Sequence, residues 1–186
     1  LLSDGKSPET IRMLKTLHRN ERRLGTLVDS VLKESGHIGT DAGVKVVARE
    51  FDLWPLVSSV LNDLGPVAET CGAQLINEVP DELEAYGDAD LVRRILQNLI
   101  ANAINFTPRG QVTVGARATG EGAVECWVRD NGAGIAADRL AVIFEKGESD
   151  SAEEEAPGLG LPIVKASVEA HGGSVTVSSK EGHGSI

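Results

Sequence analysis

Asn98-Leu99-Ile100-Ala101-Asn102-Ala103-Ile104-Asn105-Phe106-Thr107-Pro108 completes an amphipathic helix whose polar stripe is made of side-chain amides. Upstream, Asp88 or Asp90 can cap the helix; downstream, Thr107-Pro108-Arg109-Gly110 turns the chain out of it, so a helix over 90–106 is predicted. Leu91, Ile95, Leu99 and Ala103 share one face, which Val92, Leu96 and Ile100 widen. Asn98, Asn102 and Asn105 recur at steps of four and three and form one stripe. Asparagine is a poor interior helix residue because its amide competes for backbone hydrogen bonds, and a buried amide must find partners. An amide oxygen is also a suitable hard ligand for Mg²⁺, which keeps water and phosphate oxygens as its other ligands. Amides facing water or satisfying nearby backbone would produce the same pattern, so the stripe alone leaves both readings open.

Two glycine-rich loops follow. Val124, Cys126 and Val128 alternate as the buried face of a strand, and period two places Asp130 on that face at the strand end. Asn131-Gly132-Ala133-Gly134-Ile135 then turns sharply and leaves room for a flat ligand. Asp130 can accept from an adenine amino group while Gly132 and Gly134 let the ring approach. A simple Asp-Asn-Gly turn is the plainer alternative. Pro157-Gly158-Leu159-Gly160-Leu161-Pro162 opens a predicted helix ending at His171, where Gly172-Gly173 stops it. Backbone N–H groups at such a helix start form an anion site.

Outward from these motifs, residues 8–34 read as one helix, with Pro8 in its first turn, Ser7 as cap and a heptad-like run of Leu14, Leu17, Leu24, Val28 and Val31. Gly36 to Gly43 is a polar linker. Val44 to Ala48 reads as a strand, and Asp52 caps a helix from Leu53 to Cys71 that Gly72 ends and Gly65-Pro66 should kink or split. Ala73–Val79, Gln111–Ala118, Ala123–Arg129 and Ser174–Ser179 read as strands, the middle two joined by a Gly120-Glu121-Gly122 hairpin. Helices and hairpins mix, so the class is α+β with a mixed sheet.

Composition narrows the function. The 186 residues carry a formal charge of −10, which disfavours a nucleic-acid surface. Phosphate remains possible as a ligand, because backbone N–H groups and Mg²⁺ bind it without basic side chains. No apolar run approaches the roughly 20 residues of a membrane span, so no membrane contact is expected of this piece. Cys71 and Cys126 are too few for a disulfide framework, which suits a cytoplasmic setting. The ends, Leu1-Leu2 and Ile186, read as cuts in a longer protein that a membrane anchor could still hold.

The ensemble resembles the catalytic ATP-binding domain of sensor histidine kinases. Asn98 to Pro108 is similar to the family's N box, Asp130 to Ile135 to its first glycine box, Ile143-Phe144-Glu145 to its F box, and Gly158-Leu159-Gly160-Leu161 to its second glycine box. The resemblance implies a two-layer α/β sandwich of the Bergerat type over 44–186. It implies that 1–36 is part of the dimerising, phosphotransferring helical hairpin, mainly its second helix, with 37–43 as linker. It further implies ATP and Mg²⁺ as cofactors, with Asn98 and Asn102 at the metal and phosphates, Asn102 as the likelier direct ligand, and Asp130 on adenine. Asn105, Gly132, Gly134, Ile135, Lys146, Gly158, Leu159, Gly160 and Leu161 complete the expected ATP site. The implied partners are a second copy of the chain and a response-regulator protein that receives the phosphoryl group.

Related ATPases of the gyrase and Hsp90 kind place a Glu one turn before the second asparagine, where it activates water. Here that position is Asn98, and an amide cannot act as a general base, which favours phosphoryl transfer over hydrolysis. His18, on the predicted second helix, lacks the sequence context of an acceptor, and no catalytic residue is assigned within the chain. Asn105 stands where many members carry a basic residue, and Ala156 where the second glycine box usually begins. These departures keep two rivals in view: a degenerate nucleotide- or partner-binding module, and a Ser/Thr kinase of the anti-sigma-factor type.

Overall fold

The computed structural model describes residues 45–120, 122–144 and 160–186. The expected helix over 8–34 with His18, the linker with His37, and Lys146, Gly158 and Leu159 lie outside the described residues. The described order is β1 (Arg49–Asp52), α1 (Leu53–Cys71), β2 (Gln74–Asn77), β3 (Glu84–Gly87), α2 (Ala89–Phe106), β4 (Gln111–Ala118), β5 (Val124–Asp130), α3 (Gly160–Ala170), β6 (Ser179–Lys180) and β7 (Gly184–Ser185). β1 and β3 form an antiparallel ribbon. The other strands form one sheet in the order β2-β4-β5-β7-β6, with β2 parallel to β4 and the remaining pairs antiparallel. The mixed α+β architecture matches expectation.

The core lies between the sheet and helices α1 and α2. Leu53, Leu56, Val57 and Val60 of α1 and Leu96, Ile100 and Ile104 of α2 meet Val112, Val114 and Ala116 of β4. Burying each large aliphatic side chain contributes about 1.5–3 kcal/mol. The deepest stripe of α2 is Leu96, Ile100, Ala103 and Ile104. Leu91, Ile95 and Leu99, expected to lead the apolar face, are only half-buried. β4 is buried on both sides, because Trp127 lies directly opposite Gly115 and its indole fills the space a Cβ there would need.

Local chemistry explains most boundaries. The Asp88 carboxylate accepts from the N–H groups of Asp90 (3.1 Å) and Leu91 (3.2 Å), capping α2. Gly72 ends α1 in the left-handed region (φ 70°), and its N–H returns to the carbonyls of Ala68 and Glu69.

Several expectations change. Asp52 sits at the N-cap of α1 but its side chain makes no capping hydrogen bond, and Cys126, expected on the buried face of β5, is exposed. The first strand forms at Arg49–Asp52 rather than Val44–Ala48: Val47 is 62% exposed and its N–H is taken by Asp88 Oδ2, whereas β3 supplies a partner for residues 49–52. Gly65-Pro66 does not split α1, which runs through both residues. Pro66 removes one helical hydrogen bond, but it and Asn62 are exposed, where water replaces the lost partner. The strand expected over 174–179 narrows to Ser179–Lys180. Its pairing begins where Ser178 and Ile186 exchange both backbone hydrogen bonds, and residues 174–177 have no ladder partner among the described residues. No described helix is long and apolar enough to cross a membrane.

Candidate functional site

Helix α2 meets the start of α3 along its amide stripe and the turn after β5 at its C-terminal end. α3 places Gly160 against the amide stripe: a Cβ on Gly160 would stand 3.1 Å from Asn98 Oδ1 and 3.8 Å from Asn102 Nδ2. The helix start and both amides therefore form one wall. Asn98 Nδ2 donates to the Arg94 carbonyl (2.9 Å), which fixes the amide plane and leaves Oδ1 towards Gly160. Asn102 is half-buried, and its side chain makes no hydrogen bond among the described residues. A half-buried amide with no partner among the described residues is open to a ligand. Asn105, one turn later, is exposed, and Leu161 is half-buried in the first turn of α3.

Asp130 stands just past the C-terminal end of α2, beside Thr107. It pairs in register with Val112, so its side chain lies on the helix-facing side of the sheet, as alternation required. Oδ1 accepts from the Gly132 N–H (2.8 Å) and from the hydroxyl of Thr107 (3.3 Å), a residue only 1% exposed. Among the described residues the other oxygen accepts nothing, so Asp130 presents one fixed and one available acceptor. Gly132 packs so closely that a Cβ would fall on the Phe106 carbonyl and 2.5 Å from Thr107 Oγ1. Gly134 takes φ 69° and packs on the Lys180 carbonyl. Ile135 N–H donates to Ser179 Oγ (2.8 Å), and Ala133 N–H donates to the Phe106 carbonyl (3.1 Å). The turn is thus bolted to the end of α2 on one side and to the β6–β7 hairpin on the other.

The structure brings together Asn98, Asn102 and Gly160, and separately Asp130, Gly132, Gly134 and Ile135. Three residues had not been singled out. Phe106 is 50% exposed beside the glycine turn, Thr107 orients Asp130, and Asn131 Oδ1 accepts from the Gln111 N–H (2.7 Å) to tie the turn to β4. A lone aromatic residue closing the amide-striped helix, directly after Asn105, was the legible signal for Phe106.

Among the described residues no group of three or more His, Cys, Asp or Glu could hold a metal on its own. The available donors suit Mg²⁺ only when phosphate and water supply most of its ligands, because one or two neutral amide oxygens do not replace its hydration shell.

A family model described as histidine kinase-, DNA gyrase B- and HSP90-like ATPase matches residues 87–186. The adaptive-response sensory kinase SasA of Synechococcus elongatus is 33% identical over 168 residues, covering 88% of this chain and 43% of that protein. The histidine protein kinase DivJ of Caulobacter vibrioides is 36% identical over 139 residues, covering 72% of this chain and 23% of its own length. Among solved structures, full-length ShkA in complex with AMPPNP superposes with a TM-score of 0.76 at 30% identity, over 96% of this chain and 38% of that one. The chain therefore spans less than half of these relatives.

Proposed function

This chain belongs to the histidine kinase-, DNA gyrase B- and HSP90-like ATPase family, its relatives there being sensor histidine kinases, and from that premise we propose that it binds Mg²⁺-ATP and transfers the γ-phosphoryl group to a histidine outside the chain. The observation that carries the reading is the half-buried Asn102 amide, without a partner among the described residues, beside Asn98 and the start of α3. Asp130 accepts from the adenine amino group, and Gly132 and Gly134 form the floor on which the ring lies. Phe106 flanks the base. Asn98, Asn102, Gly160 and Leu161 hold the phosphate end, with Asn105, Lys146, Gly158 and Leu159 completing it. Held by Asn98 and Asn102, Mg²⁺ would supply neutralisation of the phosphate charge in a loose transition state.

The chain's own residues bind, orient and release; none removes a proton. Asn98 stands where a general base would be needed for hydrolysis, and an amide cannot take a proton from water. The nucleophile is an imidazole, so the task of 44–186 is to align the γ-phosphate for in-line attack. Residues 1–36 belong to the hairpin that pairs with a second copy, 37–43 link it to the catalytic unit, and a response-regulator aspartate receives the group in the cytoplasm.

The test is transfer of labelled γ-phosphate from ATP to a separately supplied hairpin that carries the acceptor histidine. The expected product is acid-labile phosphohistidine, and Asn102→Asp abolishes it. Label on serine, or full transfer by Asn102→Asp, rejects the reading.

A further inference from the structure

His171 sits at the far end of α3 from the nucleotide wall, and both ring nitrogens are engaged. Nε2 lies 3.0 Å from the Asp88 backbone N, and Nδ1 lies 2.8 Å from the Ser167 carbonyl oxygen. A peptide N–H only donates and a carbonyl only accepts, so Nε2 accepts and Nδ1 carries the proton. The geometry admits one form of the ring, the neutral Nδ1–H tautomer. Buried Gly87 makes room for it: a Cβ there would stand 3.2 Å from His171 Cδ2.

The placement has a mechanical consequence. α3 runs antiparallel to α2, with Gly160 beside Asn98 and Asn102 at one end and His171 on the α2 cap at the other. Fully buried Val164 and buried Ser167 fill the seam between. The imidazole is a crosspiece joining the end of α3 to the residue that starts α2. A shift of α3 along this seam carries Gly160 off the amide wall.

We propose that neutral His171 is a positioning residue for the nucleotide site, and that its protonation unfastens α3 from the cap of α2. The inference rests on the nucleotide reading above. Protonation places an N–H on Nε2, which then faces the Asp88 N–H donor to donor, so the ring must turn away. The acidic group beside the ring is the Asp88 carboxylate, whose oxygens already accept from Val47, Asp90 and Leu91. Glu169 precedes the ring by two residues on α3, and Arg49 shares the register position of Gly87 on the ribbon; both are exposed. The neutral ring braces the site, and the charged ring exchanges that brace for an ionic contact with a carboxylate.

The test compares the wild-type chain with His171→Gln, which keeps an acceptor and cannot titrate, and His171→Phe, which has no hydrogen bond. The dissociation constant of a fluorescent ATP analogue with Mg²⁺ is measured from pH 8 to pH 5, where an imidazole ordinarily takes up its proton. At pH 8, His171→Gln, which keeps the acceptor for the α2 cap, binds close to wild type, while His171→Phe, which loses both ring bonds, binds about threefold to tenfold more weakly, the worth of the one bond that reaches α2. Wild-type affinity then falls relative to His171→Gln as the pH drops, a ratio that cancels titration of the nucleotide itself. Parallel pH profiles for the two proteins overturn the proposal. A second readout needs no nucleotide: ¹⁵N spectra at pH 8 must show the Nδ1–H tautomer, with exchange of the Asp88 amide slower than in His171→Phe. An Nε2–H tautomer, or equal exchange, overturns the proposal even if no variant binds nucleotide, an outcome that would reject the nucleotide reading separately.

Discussion

Replacing Asp130 with Asn separates recognition from scaffolding at one residue. Oδ1 accepts from Gly132 N–H and Thr107 Oγ1, and an asparagine oxygen in the same place keeps both bonds. The other oxygen, which accepts nothing among the described residues, becomes an NH₂ group. Against the adenine amino group this sets donor against donor. Loss of one hydrogen bond to a charged acceptor costs about 1.5–3 kcal/mol, or roughly a 10- to 150-fold rise in Kd. Guanine presents an oxygen where adenine has its amino group, and the new NH₂ can donate to it, so preference for ATP over GTP should shrink by more than the loss of ATP affinity alone. Calorimetric titration with Mg²⁺ and non-hydrolysable analogues of both nucleotides measures this, with thermal unfolding as control. Unchanged ATP affinity would refute Asp130 as the adenine acceptor. A lower Tm with both affinities falling equally would show that the carboxylate serves only the turn.

Other substitutions probe the frame around the site. Gly134→Ala adds a left-handed strain of about 1–2 kcal/mol and drives its Cβ into the Lys180 carbonyl, so denaturant unfolding should show a larger loss than Gly122→Ala, which has similar φ but open space. Asp88→Ala removes the cap of α2 and should cost about 1 kcal/mol at neutral pH. The Asp88 carboxyl is held below its ordinary 3.8 chiefly by the Val47 N–H, with help from Leu91, Asp90 and the His171 charge against the opposing effect of burial. A depressed folded-state value stabilises above the unfolded-state range and stops doing so as pH falls through the folded one. Urea titrations should therefore find the gap between wild type and Asp88→Ala narrowing below about pH 4. Replacing Glu153, Glu154 and Glu155, three consecutive acids shortly before the Gly158-Leu159-Gly160 loop, with Ser removes negative charge and should lower the Kd for ATP, measured at low ionic strength where screening is least.

The parts of the fold that were legible carried local signals. Asp88 and the Thr107-Pro108 turn bracket α2, Gly72 ends α1, and the period of two in β5 placed Asp130 on the face of buried Val112, although Cys126 in the same series is exposed. β3 had no such signal: Glu84-Ala85-Tyr86-Gly87 is short and polar, and it exists because β1 pairs with it and Leu53 N–H docks on the Leu83 carbonyl. The same tertiary pairing moved the first strand off the apolar run at Val44–Ala48. The amide stripe gave its spacing in sequence, but not that Asn98 would be tethered to Arg94 while Asn102 has no such partner among the described residues. The two ring contacts of His171 span 83 residues on one side and four on the other, and only the folded chain could reveal the longer one.

The most direct measurement titrates Mg²⁺ into the chain with a non-hydrolysable ATP analogue and repeats it for Asn102→Ala. Saturable binding that tightens with Mg²⁺ in the wild type, and loses that Mg²⁺ dependence when the amide is removed, is the predicted result. Equal Mg²⁺ dependence in both proteins, or no binding by a folded wild type, would contradict the assignment of this cleft.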